Sequence, residues 1–237
     1  MTKTEIMENI KVLRINNKET HDWLIHKHYA KRIPSISFSF GLFKLDILVG
    51  VCCFGRPVSH SLVKGSFGGK YQNCFLELNR LIVNEGLKKN TLSFFVSKCI
   101  KLLPKPKVIV SYADTSMNHN GYIYQATNFV YTGLSAIRKD YKIKGLEHLH
   151  SATIMDKAGK GKTGKIKKIE ILRNKFGKEN IYKLDRPRKH RYFYFHGSKT
   201  EKKKMKKTLC YKIKEFPKGK NKNYSCKFKP KPQLRLF

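Results

Sequence analysis

The chain has 237 residues, of which 40% are hydrophobic and 12% aromatic, so it can bury a sizeable core and global disorder is disfavoured. Its 51 Lys and Arg residues against 16 Asp and Glu give a formal net charge of +35. Because so much like charge repels itself in a compact protein, it predicts a polyanionic partner, with nucleic acid ahead of an anionic membrane surface.

The charge is unevenly distributed along the chain. Residues 1–137 carry 18 basic and 8 acidic residues, a net +10, whereas residues 138–237 carry 33 basic and 8 acidic residues, a net +25. We therefore predict a core over 1–137 and a basic region over 138–237 that completes the domain and contacts nucleic acid. Within it, the Lys-rich tail 221–237 is predicted to be loosely ordered. A single lysine run, taken alone, is also explained by a solvated face.

Cysteine usage and hydropathy indicate the compartment. The six cysteines show no C-x-x-C spacing, and Cys52, Cys74 and Cys99 lie in apolar contexts, which favours free thiols in a reducing cytosol. The start of the chain is polar, and the longest apolar run, ILVGVCCFG from Ile47, is too short to span a bilayer. These patterns predict a cytoplasmic protein with no membrane segment.

Taken in chain order, the hydrophobic periodicity predicts alternating helices and strands. The expected elements are a helix within 17–34, a hairpin over 35–55, a loop over 56–73, a strand over 74–84, a helix over 91–103, a strand over 107–114, a short helix before Phe129, a strand at 130–135, an amphipathic helix over 166–176 and a basic, aromatic strand over 189–197. This order predicts an α/β (α+β) protein with a mixed central sheet flanked by helices.

The start of the helix predicted from Thr91 carries groups that suit an anion. Arg80 precedes it, and Lys88, Lys89, Asn90 and Ser93 surround its first turn. Helix N-termini bind anions through free backbone N–H groups, so this segment is a candidate phosphate site. An ordinary cap by Asn90 with two solvated lysines explains the same residues.

Asp114 ends the apolar strand KVIVSYAD, on a chain with few carboxylates. Buried among apolar neighbours, it would have a raised pKa and could act as a base or ligate a metal. It could equally cap the segment that follows.

Two aromatic clusters could receive a planar base. Tyr122 and Tyr124 lie in GYIYQA, where a nucleobase could stack for about 1–3 kcal/mol, although core packing explains such aromatics equally well. In HKHYAKR, His28 and Tyr29 offer a general base and a stacking ring. His26 and His28 would point apart on a helix, which argues against a shared metal.

Several of these motifs together resemble the bacteriophage Mom DNA-modification family. The resemblance covers about residues 24–137 and rests on HY (28–29), ELNRLIV (77–83), KNTLSFF (89–95), SYAD (111–114), H-x-G-x-I-Y-Q-A (119–126) and FVYTG (129–133). It implies a fold similar to the Gcn5-related N-acetyltransferases, which would make 1–137 an acetyltransferase-like catalytic core.

The resemblance also implies a function. The family's enzymes convert adenine in phage DNA to an N6-carbamoylmethyl (acetamido-type) adenine, which protects the DNA from host restriction. Transferred to this chain, Asp114, Tyr124, His28 and Tyr29 would be catalytic, and Arg80, Ser93, Asn90 and Lys89 would bind the coenzyme. Double-stranded DNA and acetyl-CoA would be the partners. An iron requirement and a homodimer stay open, and no residue is assigned as a metal ligand.

The chain departs from the acetyltransferase pattern at the pyrophosphate loop, where NEGLKKNT replaces the usual Q/R-x-x-G-x-G/A. The carbamoylmethyl product also contains a nitrogen that acetyl transfer does not supply. Two alternatives therefore stay open: an acetyltransferase acting on RNA or a small amine, and a non-catalytic basic nucleic-acid-binding protein.

Overall fold

A computed structural model describes residues 9–159, 167–220, 225–230 and 233. Ile166, at the start of a predicted helix, and most of the tail predicted to be loosely ordered lie outside these residues. The chain divides into two compact units: the first runs up to Leu134 and resumes at Lys189, and the second is Ser135–Arg188.

The first unit is built on a seven-stranded sheet. Its strands are β1 (Ile10–Arg14), β2 (Phe38–Lys44), β3 (Ile47–Gly55), β4 (Phe75–Val83), β5 (Lys107–Asp114), β6 (Val130–Leu134) and, after the second unit, β9 (Lys189–His196). The spatial order is β1-β2-β3-β4-β5-β9-β6. All neighbours pair antiparallel except β4 and β5, which are parallel, so the sheet is mixed as predicted.

Helices cover both faces of this sheet because its strands alternate apolar side chains between the faces. On one face, Ile109 and Ala113 of β5 pack with the helices α2 (Thr91–Lys101) and α3 (Tyr122–Ala126). On the other face, Val108 and Val110 pack with α1 (His60–Ser66) and α6 (Lys199–Thr208). The predicted α/β class, with a mixed sheet flanked by helices, is therefore confirmed.

The parallel pair β4 and β5 separates soon after it forms. Backbone pairing joins only Phe75–Glu77 to Val108–Val110, and both strands continue beyond it. A β-bulge then interrupts β4: Arg80 pairs with Cys53 and Leu78 with Phe54, which leaves Asn79 as an extra residue. A bulge reverses the alternation of side chains, so Glu77 and Arg80, three residues apart, point to the same face.

The second unit has its own small core. The strands β7 (Lys139–Ile143) and β8 (Ile181–Asp185) pair antiparallel, with α4 (Ser151–Lys157) and α5 (Lys168–Phe176) between them in the chain. Ile143, Ile154, Met155 and Leu172 form its buried cluster.

Some element predictions were wrong. The helix expected within 17–34 is a 3-10 turn (Asn17–Thr20) followed by a π-helical turn (Trp23–Lys27), and the loop expected over 56–73 contains α1. A capping box at Ser198 and one buried residue, Met205, support α6 within a lysine run. The division near residue 137 stays a prediction.

All six cysteines are free thiols. A membrane-spanning helix, which needs length and apolar character together, does not occur in the described ranges.

Candidate functional site

The first unit contains a cleft of about 1150 Å³ that opens where β4 and β5 separate. One wall is β4 with the loop that leads to α2, and the other includes Tyr112 and Ala113 of β5 together with α3. Lys27, His28 and Tyr29 close a further side, and Lys189, Gly219, Lys220 and Cys226 contribute from the C-terminal part of the chain. A concavity of this size suits a drug- to coenzyme-sized ligand.

The structure brings seven of the eight predicted site residues to this cleft. They are His28, Tyr29, Arg80, Lys89, Asn90, Ser93 and Tyr124. Asp114 is the exception: its neighbours Ala113 and Lys189 line the cleft, but Asp114 is not among the lining residues. The role of each residue stays a prediction.

Asp114 is buried and makes several contacts. It is the N-cap of the turn Thr115–Met117, where its carboxylate accepts hydrogen bonds from Ser116 N at 3.1 Å and from Ser116 Oγ at 2.7 Å. Lys189, its cross-strand partner on β9, lies 2.9 Å away. Although burial opposes ionisation, Lys189 and Ser116 outweigh it and lower the pKa of Asp114. The carboxylate is therefore ionised and caps this turn, so the capping alternative is confirmed and the expected raised pKa is wrong.

His28 and Tyr29 stack on each other at the end of the π-helical turn, with ring centroids 4.4 Å apart. His28 Nδ1 accepts a hydrogen bond from the backbone N–H of Ala30 at 3.0 Å, so the neutral ring carries its proton on Nε2. Burial, then the charges of Arg80 and Lys189, lower the pKa of His28 to about 3. His28 is therefore a neutral hydrogen-bond donor at physiological pH.

Tyr124 lies at the base of the cleft on α3. Its ring packs on Phe129 and Tyr192, with centroids 5.3 and 5.2 Å away. Burial raises the pKa of Tyr124 far above its usual range, while a hydrogen bond with Ser111 acts in the opposite direction. The phenol is therefore neutral and can donate a hydrogen bond. Phe129, which is 1% exposed, belongs to the core.

The start of α2 has the features of an anion site. Asn90 adopts a left-handed conformation (φ 69°) and its side chain does not cap the helix, so the alternative of an ordinary Asn90 cap is wrong. Thr91 Oγ1 is buried without a hydrogen-bond partner in the described part of the chain. Lys88 and Lys89 are exposed beside it. Free donors at a helix start with two nearby cations attract phosphate.

Three further buried polar atoms without partners in the described ranges belong to cleft residues. They are Asn79 Oδ1, Arg80 Nε and Asn84 Oδ1. Arg80 also donates to the backbone oxygens of Asn79 at 2.6 Å and Arg32 at 3.1 Å, so backbone oxygens hold its guanidinium in place. Buried polar groups are normally satisfied, and such a group of exceptions indicates a ligand surface.

Glu77 and Lys189 belong to the cleft but were not singled out from the sequence. Glu77 interrupts the apolar segment predicted as a strand over 74–84, and Lys189 starts a strand more than 70 residues downstream of Asp114. A lone carboxylate within an apolar strand was the available signal for Glu77. No sequence signal connects Lys189 to Asp114, because β9 joins the sheet beside β5 only in the folded chain.

The described residues do not form an iron site. Among them, no group of three or more His, Cys, Asp and Glu side chains has a geometry that could hold a metal ion. Asp114, the ligand considered from the sequence, is engaged by Lys189 and Ser116.

Fold and site together define an α/β protein with a cleft between two separating parallel strands, lined by lysines at the start of a helix and by aromatic rings. The sequence model of the Mom protein family matches residues 9–218, and the chain belongs to that family, which confirms the resemblance. It is 26% identical over 197 residues to the methylcarbamoylase Mom of Escherichia phage Mu, covering 81% of this chain and 77% of the relative.

A solved structure is also similar: an acetyltransferase of Bacillus subtilis in complex with CoA. The similarity covers 79% of this chain and 97% of that one, with 16% identity and a TM-score of 0.39. The fold described above rests on the strand order and pairing of this chain and not on that similarity.

Proposed function

We propose that this protein is a DNA-modifying transferase that uses acetyl-CoA and converts adenine in double-stranded DNA to an N6-carbamoylmethyl (acetamido-type) adenine. Membership of the Mom family supports the class of reaction, since the phage Mu relative is named a methylcarbamoylase. The observation that carries the proposal is the cleft between β4 and β5, which joins an anion site to an aromatic site.

The coenzyme would occupy the end of the cleft formed by the β4–α2 loop. Lys88, Lys89 and the start of α2 would hold its phosphates, and the unsatisfied Oδ1 of Asn84, a cleft residue, is available to accept a hydrogen bond from it. When bound, a coenzyme A thioester supplies an activated carbon and a thiolate leaving group. Ser93 Oγ donates to Asn90 O at 3.0 Å, so its direct contribution is to shape the turn.

The target adenine would occupy the end that carries Tyr29, Tyr122, Tyr124 and His119. An adenine inside a duplex cannot reach a cleft, so it must be flipped out of the stack, and aromatic rings compensate part of the lost stacking. Lys189 and Lys220 lie at the same end, where they would contact flanking phosphates. The net charge of +35 supports a DNA partner.

The contacts favour particular roles for the predicted catalytic residues. Neutral Tyr124 and the Nε2–H of neutral His28 are suited to donate hydrogen bonds to a developing oxyanion or to the adenine ring. Asp114, predicted to accept or to position a proton, is suited to positioning because it anchors Lys189 and the turn that precedes α3.

Mass spectrometry of nucleosides from the DNA of expressing cells tests the proposal. A deoxyadenosine carrying the added mass at N6 is expected, and its absence would contradict the DNA assignment. Modified RNA nucleosides or acetylated small amines would instead support the alternative transferase. Isothermal calorimetry with acetyl-CoA separates a transferase from a non-catalytic binder, because only the transferase requires affinity for the coenzyme.

A further inference from the structure

Adenine N6 is a poor nucleophile because its lone pair is delocalised into the ring, so its modification needs a proton acceptor in the cleft. The residues already assigned are unsuited to this task. His28 uses Nδ1 to accept the Ala30 N–H, and Asp114 is engaged by Lys189 and Ser116 and does not line the cleft. Tyr29 and Tyr124 have raised pKa values through burial, so both are neutral donors.

Glu77 is the carboxylate that meets the geometric requirements. It is the last β4 residue that pairs with β5, opposite Val110, and therefore lies where the two strands begin to separate. It lines the cleft and is half-buried. Its carboxylate makes no hydrogen bond or ion pair with any described residue, in contrast to Asp114 and to Glu85, which binds Lys27 Nζ at 2.8 Å.

The surroundings of Glu77 keep it available as a base. The bulge at Asn79 places Arg80 on the same face of the sheet, but the Arg80 guanidinium donates to two backbone oxygens, and Lys189 is paired with Asp114. Tyr124, from α3, also interacts electrostatically with Glu77, whose charge raises the pKa of the phenol. Burial raises the pKa of Glu77 to about 6, while Arg80 and Lys189 act in the opposite direction. A base works best when its pKa lies near the working pH.

We propose that Glu77 is the catalytic residue that accepts the N6 proton of the target adenine, an assignment that rests on the proposed function. The N6 proton moves to a Glu77 carboxylate oxygen as the nitrogen lone pair forms a bond to the thioester carbon. The bond from that carbon to sulfur breaks, and the electron pair leaves as the coenzyme A thiolate. This step transfers the acetyl group to N6; the carbamoylmethyl group, whose CH2 carbon is bonded to N6, requires a further reaction.

The test compares the full-length wild type with Glu77→Gln, Glu77→Asp and the control Glu215→Gln. Glu215 is exposed and lies outside the cleft lining, so its substitution removes the same charge elsewhere. Each purified protein is added to a bacterial lysate, which supplies the small-molecule donors, together with a defined DNA duplex. Initial rates of adenine modification are then measured by mass spectrometry from pH 5 to pH 8.

The wild-type rate is expected to rise through about pH 6 and then level off, because the active form is the carboxylate. Glu77→Gln should lose about 10²- to 10⁴-fold in rate, and its residual rate should no longer rise through pH 6. Glu77→Asp should give an intermediate rate with a shifted midpoint, and Glu215→Gln should match the wild type. Duplex and acetyl-CoA affinities should stay within about threefold in Glu77→Gln.

Each contrary result overturns the assignment. A Glu77→Gln rate within tenfold of wild type, with the same rise through pH 6, would identify another base. If Glu77→Gln does not fold, a Glu77→Asp variant with the wild-type rate and the wild-type midpoint of the pH–rate profile would likewise identify another base. Weak duplex or coenzyme binding by a Glu77→Gln protein that keeps the wild-type pH profile would assign Glu77 to binding. A wild type that leaves all adenines unmodified would overturn the proposed function, and this assignment with it.

Discussion

Replacing Glu77 by Gln should stabilise the protein above pH 6, although we expect it to inactivate the enzyme. Glu77 is half-buried without a hydrogen bond or an ion pair among the described residues, so the folded state holds its ionised form at a cost. Gln has the same shape and no charge, and it removes that cost. Destabilising groups of this kind persist at functional sites.

The magnitude and its sign follow from the raised pKa. Burial takes the pKa of Glu77 from 4.5 to about 6, so the folded state binds this proton more tightly than the unfolded state does. The contribution of Glu77 to stability is therefore fully present below about pH 4.5 and is lost as the pH rises through 6. A shift of this size corresponds to at most about 2 kcal/mol. Because the group faces the open cleft, we expect about 1 kcal/mol.

Urea denaturation of wild type and Glu77→Gln from pH 4.5 to pH 8 measures this contribution. The difference in unfolding free energy should be near zero at the acid end and should favour Glu77→Gln by about 1 kcal/mol above pH 6.5. Glu215→Gln corrects for the general loss of one negative charge from a chain of net charge +35. A difference that does not change with pH, or one that favours the wild type at pH 8, would refute the reasoning.

Three other substitutions test the architecture of the cleft. Asp114→Asn should lower the unfolding free energy by about 1–3 kcal/mol at pH 7, since hydrogen bonds to a charged group are lost. Because the pKa of Asp114 is lowered, the stability of the wild type should fall to that of the variant as the pH drops below about 4. An equal loss at pH 7 and pH 2.5 in urea denaturation would contradict this. Gly121→Ala should lower the unfolding free energy by about 2–4 kcal/mol in the same assay, because Gly121 has φ +72° and an added Cβ would lie 2.5 Å from the Tyr192 ring. An unchanged urea midpoint would show that the ring can move. Lys27→Met should change the unfolding free energy by less than about 1 kcal/mol, since the buried lysine pairs with Glu85, whose side chain is 49% exposed and can be rehydrated. A loss above about 3 kcal/mol, measured by calorimetry, would show that the ion pair is required for stability.

Local patterns were enough to predict most strands and the positions of several site residues. The strongly apolar segments at 74–84 and 107–114 form β4 and β5, because their hydrophobicity holds whichever neighbour they pack against. The helical spacing after Thr91 likewise forms α2. The predicted residues of β4 and of the start of α2 meet in one cleft with His28, Tyr29 and Tyr124, whereas Asp114 of β5 is not among the lining residues.

Weaker local signals were misread. The histidine-rich segment before Pro34 forms two short turns in place of one helix, because Trp23 and Leu24 are buried in a separate cluster against β3. The lysine run after Ser198, for which no element was predicted, forms a helix because Met205 packs against the sheet and Glu201 completes a capping box. Both outcomes depend on contacts with residues far away in the sequence.

The sequence by itself determined the basic charge, the α/β class, the Mom-family motifs and the presence of a carboxylate at each of positions 77 and 114. Only the tertiary structure decided what each carboxylate does. β9 enters beside β5 and brings Lys189 to Asp114, which satisfies that carboxylate. The bulge at Asn79 and the separation of β4 from β5 place Glu77 at the opening of the cleft, where its carboxylate has no ion pair among the described residues. Long-range strand pairing sets both environments, and no local pattern encodes it.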